Sequence, residues 1–193
     1  EEVGTGEGPA VDIALDPLEG TTITAKGLPN ALAVLALGSK GSLLHAPDVY
    51  MEKIAVGGGL PDGLIDINAP PAENLGQLAE AKGVKVSDLL ICVLDRPRHQ
   101  ELIAAIRDAG ARIQQISDGD IYGVIECSQP HSRVDMYLGS GGAPEGVLAA
   151  AALQCIGGQM QGKLLFRNDD ERGRASKMGV EDFDRVYGIN DLA

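Results

Sequence analysis

Leu89-Leu90-Ile91-Cys92-Val93-Leu94, followed at once by Asp95-Arg96-Pro97-Arg98-His99, is the stretch whose reading decides the fold. A short apolar run closed by a polar, proline-bearing turn predicts a buried strand. The next stretch, Arg98 to Ala109, places Leu102, Ile103 and Ile106 on one face and predicts an amphipathic helix. The same alternation then continues downstream. Arg112 to Ile116 reads as a strand and Gly119 to Cys127 as a short helix. Val134 to Leu138 reads as a strand, and Pro144 to Ile156 as a helix with proline in its first turn. Gln161 to Phe166 reads as a further strand. Strand–helix alternation of this kind implies an α/β fold with a parallel sheet.

Upstream the rhythm differs. Ala69-Pro70-Pro71 breaks the chain, and Ala72 to Lys82, with Leu75 and Leu78 at helical spacing, predicts a modest helix. Before that break the chain reads as a meander. Its strands are Val11 to Leu15, Ala31 to Leu37, a return strand Ser42 to His45 after a Gly38-Ser39-Lys40-Gly41 turn, Tyr50 to Val56, and Leu64 to Ile67. Two parts are therefore expected, residues 1–70 and residues 71–193. A short helix from Asp169 to Met178 and a polar surface stretch follow the last strand. The acidic, glycine-rich opening Glu1 to Pro9 reads as a loop. The chain starts without Met inside apparent structure, and a piece of a longer protein is expected.

The 193 residues carry a formal net charge of -12, which argues against nucleic acid and against an anionic membrane surface as partners. An anionic small substrate stays open, because bound cations reverse the local field. With 44% hydrophobic but only 3% aromatic residues, the core is aliphatic. Cys92, Cys127 and Cys155 stand at irregular spacing inside apolar runs. They read as reduced thiols of a cytoplasmic protein, not as a disulfide framework or a catalytic pair. No signal peptide and no run long enough to span a bilayer is seen.

In a parallel sheet, ligands gather beyond the carboxyl ends of the strands. Three polar clusters fall there: Asp95 to His99, Ser117-Asp118-Gly119-Asp120, and Gly139 to Gly146 with Glu145 in the first turn of the following helix. Arg96 and Arg98 match phosphate as forks or serve as solvated helix-start residues. His99 reads as structural. Asp118 and Asp120 suit sugar hydroxyls, or one of them caps a helix. Glu145 is either a metal ligand or a partner of the helix dipole. The glycine loop is neither a dinucleotide fingerprint nor a Walker A motif. At the end of the first strand, Asp16-Pro17-Leu18-Glu19-Gly20-Thr21 offers two carboxylates and a hydroxyl on a tight turn. That set suits a hard divalent cation, although Asp-Pro is also a common turn opener.

Taken in order, these stretches resemble one family over most of the chain, class II fructose-1,6-bisphosphatase. The carrying stretches are Val11 to Thr21, Pro29 to Val34, His45 to Met51, Arg96 to His99, Ser117 to Asp120 and Gly141 to Val147. The resemblance implies a layered αβαβα sugar-phosphatase fold and metal-dependent hydrolysis of fructose 1,6-bisphosphate. Related readings are a phosphatase acting on sedoheptulose 1,7-bisphosphate or inositol phosphate, and an inactive fragment. The wider superfamily usually has aspartate at the place of Glu19; the glutamate fits the class II branch.

The resemblance also implies roles. Asp16, Glu19 and Glu145 would bind Mn²⁺ or Mg²⁺, and Thr21 would orient the attacking water beside Asp16 and Glu19. Glu19, Gly20 and Thr21 would touch substrate. Tyr50, Arg96, Pro97 and Arg98 would form the site of the phosphate that is not cleaved. Asp118, Gly119 and Asp120 would meet sugar hydroxyls, and Gly142 would contact substrate through its backbone. A phosphorylated sugar is the expected partner, and the protein is expected to be a cytoplasmic homo-oligomer. The resemblance also implies an N-terminal helical segment with two further acidic ligands and a C-terminal strand-bearing segment, neither of them among these residues, so the metal set read here is expected to be incomplete.

Overall fold

The computed structural model describes residues 3–193. Two strands, β1 (Val11–Glu19) and β2 (Leu32–Ser39), pair antiparallel in a sheet of their own. They are separated by the short helix α1 (Thr21–Ala25). The second sheet has six strands: β3 (Tyr50–Gly57), β4 (Leu90–Leu94), β5 (Arg112–Ile116), β6 (Met136–Gly142), β7 (Gly158–Leu165) and β8 (Val186–Gly188). Their order is β5-β4-β6-β3-β7-β8. The helices are α2 (Pro71–Lys82), α3 (Gln100–Asp108), α4 (Asp120–Glu126), α5 (Ala143–Ile156), α6 (Asp169–Lys177) and α7 (Ile189–Leu192).

The chain is thus a mixed α/β fold in layers, as the layered sugar-phosphatase reading expects. One core lies between the six-stranded sheet and α4, α5 and α7, around Met51, Val124, Tyr137, Ala149 and Leu192. The other lies between the opposite sheet face and α2 and α3, around Ile54, Leu75, Ile91 and Ile106. Helix α5 also touches β1 and β2, so it is sandwiched between the two sheets. Its sequence, APEGVLAAAALQCI, suits that place. A helix covered on opposite sides is apolar nearly all round, and its alanines let both sheets approach. By contrast α3 covers only one face and stays amphipathic.

Several elements differ from expectation. The six-stranded sheet is mixed: β4 is parallel to β5 and β6, but β3 runs antiparallel to both β6 and β7. Strand β3 lies within the first seventy residues yet stands between β6 and β7, so the sequence order of meander and alternation does not reproduce the sheet order. Ser42 to His45 and Leu64 to Ile67 form no strand; they are loop and turn. Gly139 to Gly142, expected as loop, instead extends β6, where it pairs with Tyr50 to Lys53. Its glycines leave space for side chains that lie over the strand: a Cβ at Gly139 would crowd His99, one at Gly141 Asp120, and one at Gly142 Glu145. The surface stretch after α6 contains β8, which closes the sheet edge against β7. Glu1 and Glu2, at the start of the expected opening loop, lie outside the described residues.

Because β4, β5, β6 and β7 end at the same sheet edge while β3 begins there, Tyr50 joins the polar clusters that follow those strands. The hairpin β1–β2 delivers its own carboxylates to that edge.

Candidate active site

Asp16 and Glu19 are three residues apart, a spacing that puts side chains on opposite faces of a regular strand. The structure corrects the expected tight turn here, because β1 runs on to Glu19. Asp16 pairs with Val34 and Glu19 with Leu32, so three steps on β1 oppose two on β2. This is a bulge with one extra residue, and it restores a common side for the two carboxylates. Pro17 sits in the bulge, where its missing N–H breaks the ladder. Asp16 Oδ1 accepts a hydrogen bond from Leu18 N at 2.9 Å, which fixes the bulge.

Glu145 comes from the first turn of α5. Its carboxylate folds back over Gly142, where a Cβ would overlap it. Asp16, Glu19 and Glu145 each offer a carboxylate oxygen, and these atoms lie within 4.8 Å of one another. The burial of the trio is graded: Glu19 is buried, Asp16 and Glu145 half-buried. Burial, then the Asp120 carboxylate, and more weakly Asp16 and Glu145, push Glu19 up from 4.5 to about 7, against the Ile121 N–H that lowers it. Burial also raises Glu145, opposed by its own backbone bond and by Lys53. An all-oxygen donor set in which burial disfavours the charged forms of Glu19 and Glu145 fits a hard divalent cation.

Two consequences are testable. Gly142→Ala places a methyl group where the Glu145 carboxylate lies; since Gly142 has φ -63, the backbone tolerates alanine. In the full-length protein the variant keeps its melting temperature within a few degrees but binds Mn²⁺ about a hundredfold more weakly, the scale of a disturbed ligand set. Titration calorimetry checks this, and unchanged affinity would show that Glu145 is not a ligand. The second concerns pH. Folded, metal-free Glu19 holds its proton up to about 7 instead of 4.5. Its contribution to stability is therefore fully present below 4.5 and is lost as pH rises through about 7. A cation reverses that loss, so Mn²⁺ raises the melting temperature more at about pH 7.5 than at about pH 5.5. Equal shifts at both pH values, read by scanning calorimetry, would contradict it.

The two sheets are joined at this site by a reciprocal pair of bonds. Ile121 N, in the first turn of α4, donates to Glu19 Oε1 at 3.1 Å. Thr22 N, in α1, donates to Asp118 Oδ2 at 3.0 Å. Each strand end thus satisfies an orphan helix-start N–H of the other unit. The expected Asp cap of α4 is not found: its cap position is Gly119, at φ 87, and Asp118 serves α1 instead. Gly20 holds the matching position before α1, at φ 89. Thr21 follows it, exposed, at the first position of α1.

Arg96 is neutralised by Asp118, with NH2 to Oδ1 at 3.2 Å, and donates to the Ser117 carbonyl. Pro97 opens the single turn that carries Arg98. Arg98 donates from Nε to Ser140 Oγ at 3.0 Å and from NH2 to Ser140 O at 2.6 Å. Its guanidinium stacks over the Tyr50 ring, 4.8 Å from the centroid. Among the described residues it pairs with no carboxylate.

Two residues escaped the sequence reading. Arg167, just past β7, also stacks on Tyr50 at 5.2 Å and is held by Glu171. Lys53 is buried and bonds Asp120 Oδ2 through Nζ at 2.5 Å. Its signal was legible: a lysine with the same strand parity as Met51 and Ala55 points into the core. Its cross-strand neighbours are glycines, Gly139 and Gly162, and the room for its side chain comes from Gly141 and Gly146, where a Cβ would crowd its Nζ and Cε.

Comparison with known proteins identifies the family. The family model described as "Bacterial fructose-1,6-bisphosphatase, glpX-encoded" matches residues 1–193. The chain is 46% identical over 206 aligned residues to fructose-1,6-bisphosphatase 1 class 2 of Escherichia coli (strain K12), covering 100% of this chain and 61% of that protein. The class 2 enzymes of Escherichia coli O6:H1 and Shigella flexneri match with the same identity and coverage. The chain therefore spans 61% of the length of the curated relatives it matches. With the family model matched from end to end, the chain belongs to the bacterial, glpX-encoded fructose-1,6-bisphosphatase family.

Proposed function

We propose that the full-length protein hydrolyses the 1-phosphate of fructose 1,6-bisphosphate, giving fructose 6-phosphate and inorganic phosphate. The observation that carries this reading is the convergence of Asp16, Glu19 and Glu145 at the edge where Arg98, without a carboxylate partner among the described residues, lies over Tyr50. An anionic cluster and a free cation at one edge suit a substrate with two phosphates, one reacting and one anchoring.

Asp16, Glu19 and Glu145 hold the cation, Mn²⁺ or Mg²⁺. Bound there, it supplies charge neutralisation for the phosphoryl oxygens and activates a water. Thr21 orients that water through its hydroxyl, and Glu19, Gly20 and Thr21 line the reacting phosphate. Tyr50, Arg98 and Arg96 hold the other phosphate. Asp120 uses Oδ2 for Lys53, which leaves Oδ1 for a sugar hydroxyl; Asp118 and the Gly119 backbone border the same sugar. Gly142 meets the substrate through its main chain. Three free cysteines suit a reducing, cytoplasmic setting. A symmetric homo-oligomer belongs to the same reading.

The test is phosphate release from fructose 1,6-bisphosphate by the full-length protein, with Mn²⁺ and then with excess chelator. Release that stops on chelation is expected. Release that persists in chelator removes the metal role. Inertness toward this substrate alongside hydrolysis of an inositol phosphate removes the substrate.

A further inference from the structure

Arg98 is the cation that the proposed reaction relies on for its anchoring phosphate, yet among the described residues no carboxylate holds it in place. What holds it is Ser140, which uses every polar atom it has. Its hydroxyl accepts from Arg98 Nε at 3.0 Å, its carbonyl accepts from Arg98 NH2 at 2.6 Å, and its N–H donates to His99 Nε2 at 2.9 Å. His99 Nε2 also lies 2.9 Å from Ser140 Oγ, and His99 Nδ1 lies 2.8 Å from the Leu94 carbonyl. A carbonyl only accepts, so Nδ1 carries the hydrogen and Nε2 is the bare acceptor. The serine hydroxyl receives the hydrogen of Arg98 Nε and shares the single lone pair of His99 Nε2 with the Ser140 N–H. An imidazolium would aim a second N–H at the Ser140 N–H, so the arrangement requires the neutral ring. Burial favours that state, as do the Arg98 and Arg96 charges, against the Leu94 carbonyl and Asp120.

Both residues are out of solvent, His99 at 3% and Ser140 at 6% exposure. A polar pair this deep is fully satisfied and has one shape. The remaining Arg98 N–H groups have no protein acceptor among the described residues, and its Cζ lies 4.8 Å from the Tyr50 ring centroid.

We propose that His99 and Ser140 are positioning residues for the anchoring phosphate: neutral His99 fixes Ser140, and Ser140 sets the Arg98 guanidinium so that its remaining donors face a phosphomonoester. This rests on the reading of Arg98 under Proposed function. It assigns the pair to substrate affinity, not to the chemical step.

The experiment uses the full-length protein and fructose 6-phosphate, the product that keeps only the anchoring phosphate. Its Kd is measured by calorimetry for the wild type, His99→Leu, His99→Gln and Ser140→Ala. His99→Leu and Ser140→Ala weaken binding about tenfold, the scale of a misplaced charge-assisted bond. They raise KM for the bisphosphate similarly and leave kcat within about twofold. His99→Gln recovers most of the affinity, because its amide oxygen accepts from Ser140 N–H. Hydrolysis of p-nitrophenyl phosphate, which has no second phosphate, is unchanged. Equal Kd values throughout, or an equal loss on p-nitrophenyl phosphate, overturn the assignment. If His99→Leu does not fold, Ser140→Ala decides alone. A wild type that turns over no bisphosphate but shows this binding pattern rejects the reaction and keeps the positioning role. A wild type that binds no fructose 6-phosphate rejects the positioning role itself.

Discussion

Asp16→Asn in the full-length protein lowers metal-dependent phosphate release by about a thousandfold or more while the folded structure persists. The loss is large because one substitution removes a formal charge from a site whose carboxylate oxygens lie within 4.8 Å of one another. Metal-assisted phosphoryl transfer draws several kcal/mol from cation placement, and about 4 kcal/mol is a factor of a thousand. The fold survives because the asparagine oxygen accepts the Leu18 N–H as the aspartate does. Asp16 is also one of the charges that push Glu19 upward, so the variant relaxes the metal-free site instead of straining it. Phosphate release, Mn²⁺ binding and melting temperature measured together read these effects apart. Turnover equal to the wild type would remove Asp16 from the metal site.

Lys53→Met is expected to be the most destabilising single substitution at the site. Lys53 and Asp120 have side-chain exposures of 1% and 8%, and their bond is 2.5 Å. Methionine matches the lysine in length, so little cavity forms. What remains is the Asp120 carboxylate, buried beside Glu19 and without its cation. Removing one partner of a buried pair costs about 3–5 kcal/mol. For a chain of this size that lowers the melting temperature by roughly 10 °C. The second substitution of the cycle, Asp120→Asn, is then less harmful on the Lys53→Met background than on the wild type, because the orphaned charge is gone. Strictly additive effects in calorimetry would show that the two groups do not depend on each other.

The elements with the strongest periodicity were legible. The runs at Leu89 and Arg112 and the helix after Pro144 carry their own signals, apolar length and a helix-start proline. The site residues at the strand ends were legible for a related reason, since polar clusters after apolar runs have to fall at a sheet edge. The spans read least well were those whose state depends on partners. Gly139 to Gly142 resembles a loop by composition, yet β3 supplies the hydrogen bonds that make it strand. Ser42 to His45 resembles a strand by pattern, yet it pairs with no strand among the described residues, and Leu44 N donates to the Leu192 carbonyl at 3.0 Å instead. Val186 to Gly188 is too short to announce itself and exists because β7 offers an open edge.

The sequence by itself determined the α/β alternation and the aliphatic core, because each depends on local composition and spacing, and it offered carboxylates at Asp16, Glu19 and Glu145 that only the family resemblance grouped as one metal set. Only the tertiary structure decided which of them meet. A bulge turned Asp16 and Glu19 to one side, and the antiparallel placement of β3 brought Tyr50 and Lys53 to that edge. The packing of α5 between two sheets brought Glu145 within reach. The roles of His99 and Ser140 belong to the same class, since residues 41 positions apart share hydrogen bonds only after β6 lies beside β4. Such contacts depend on strand order and register, which no short window of sequence encodes.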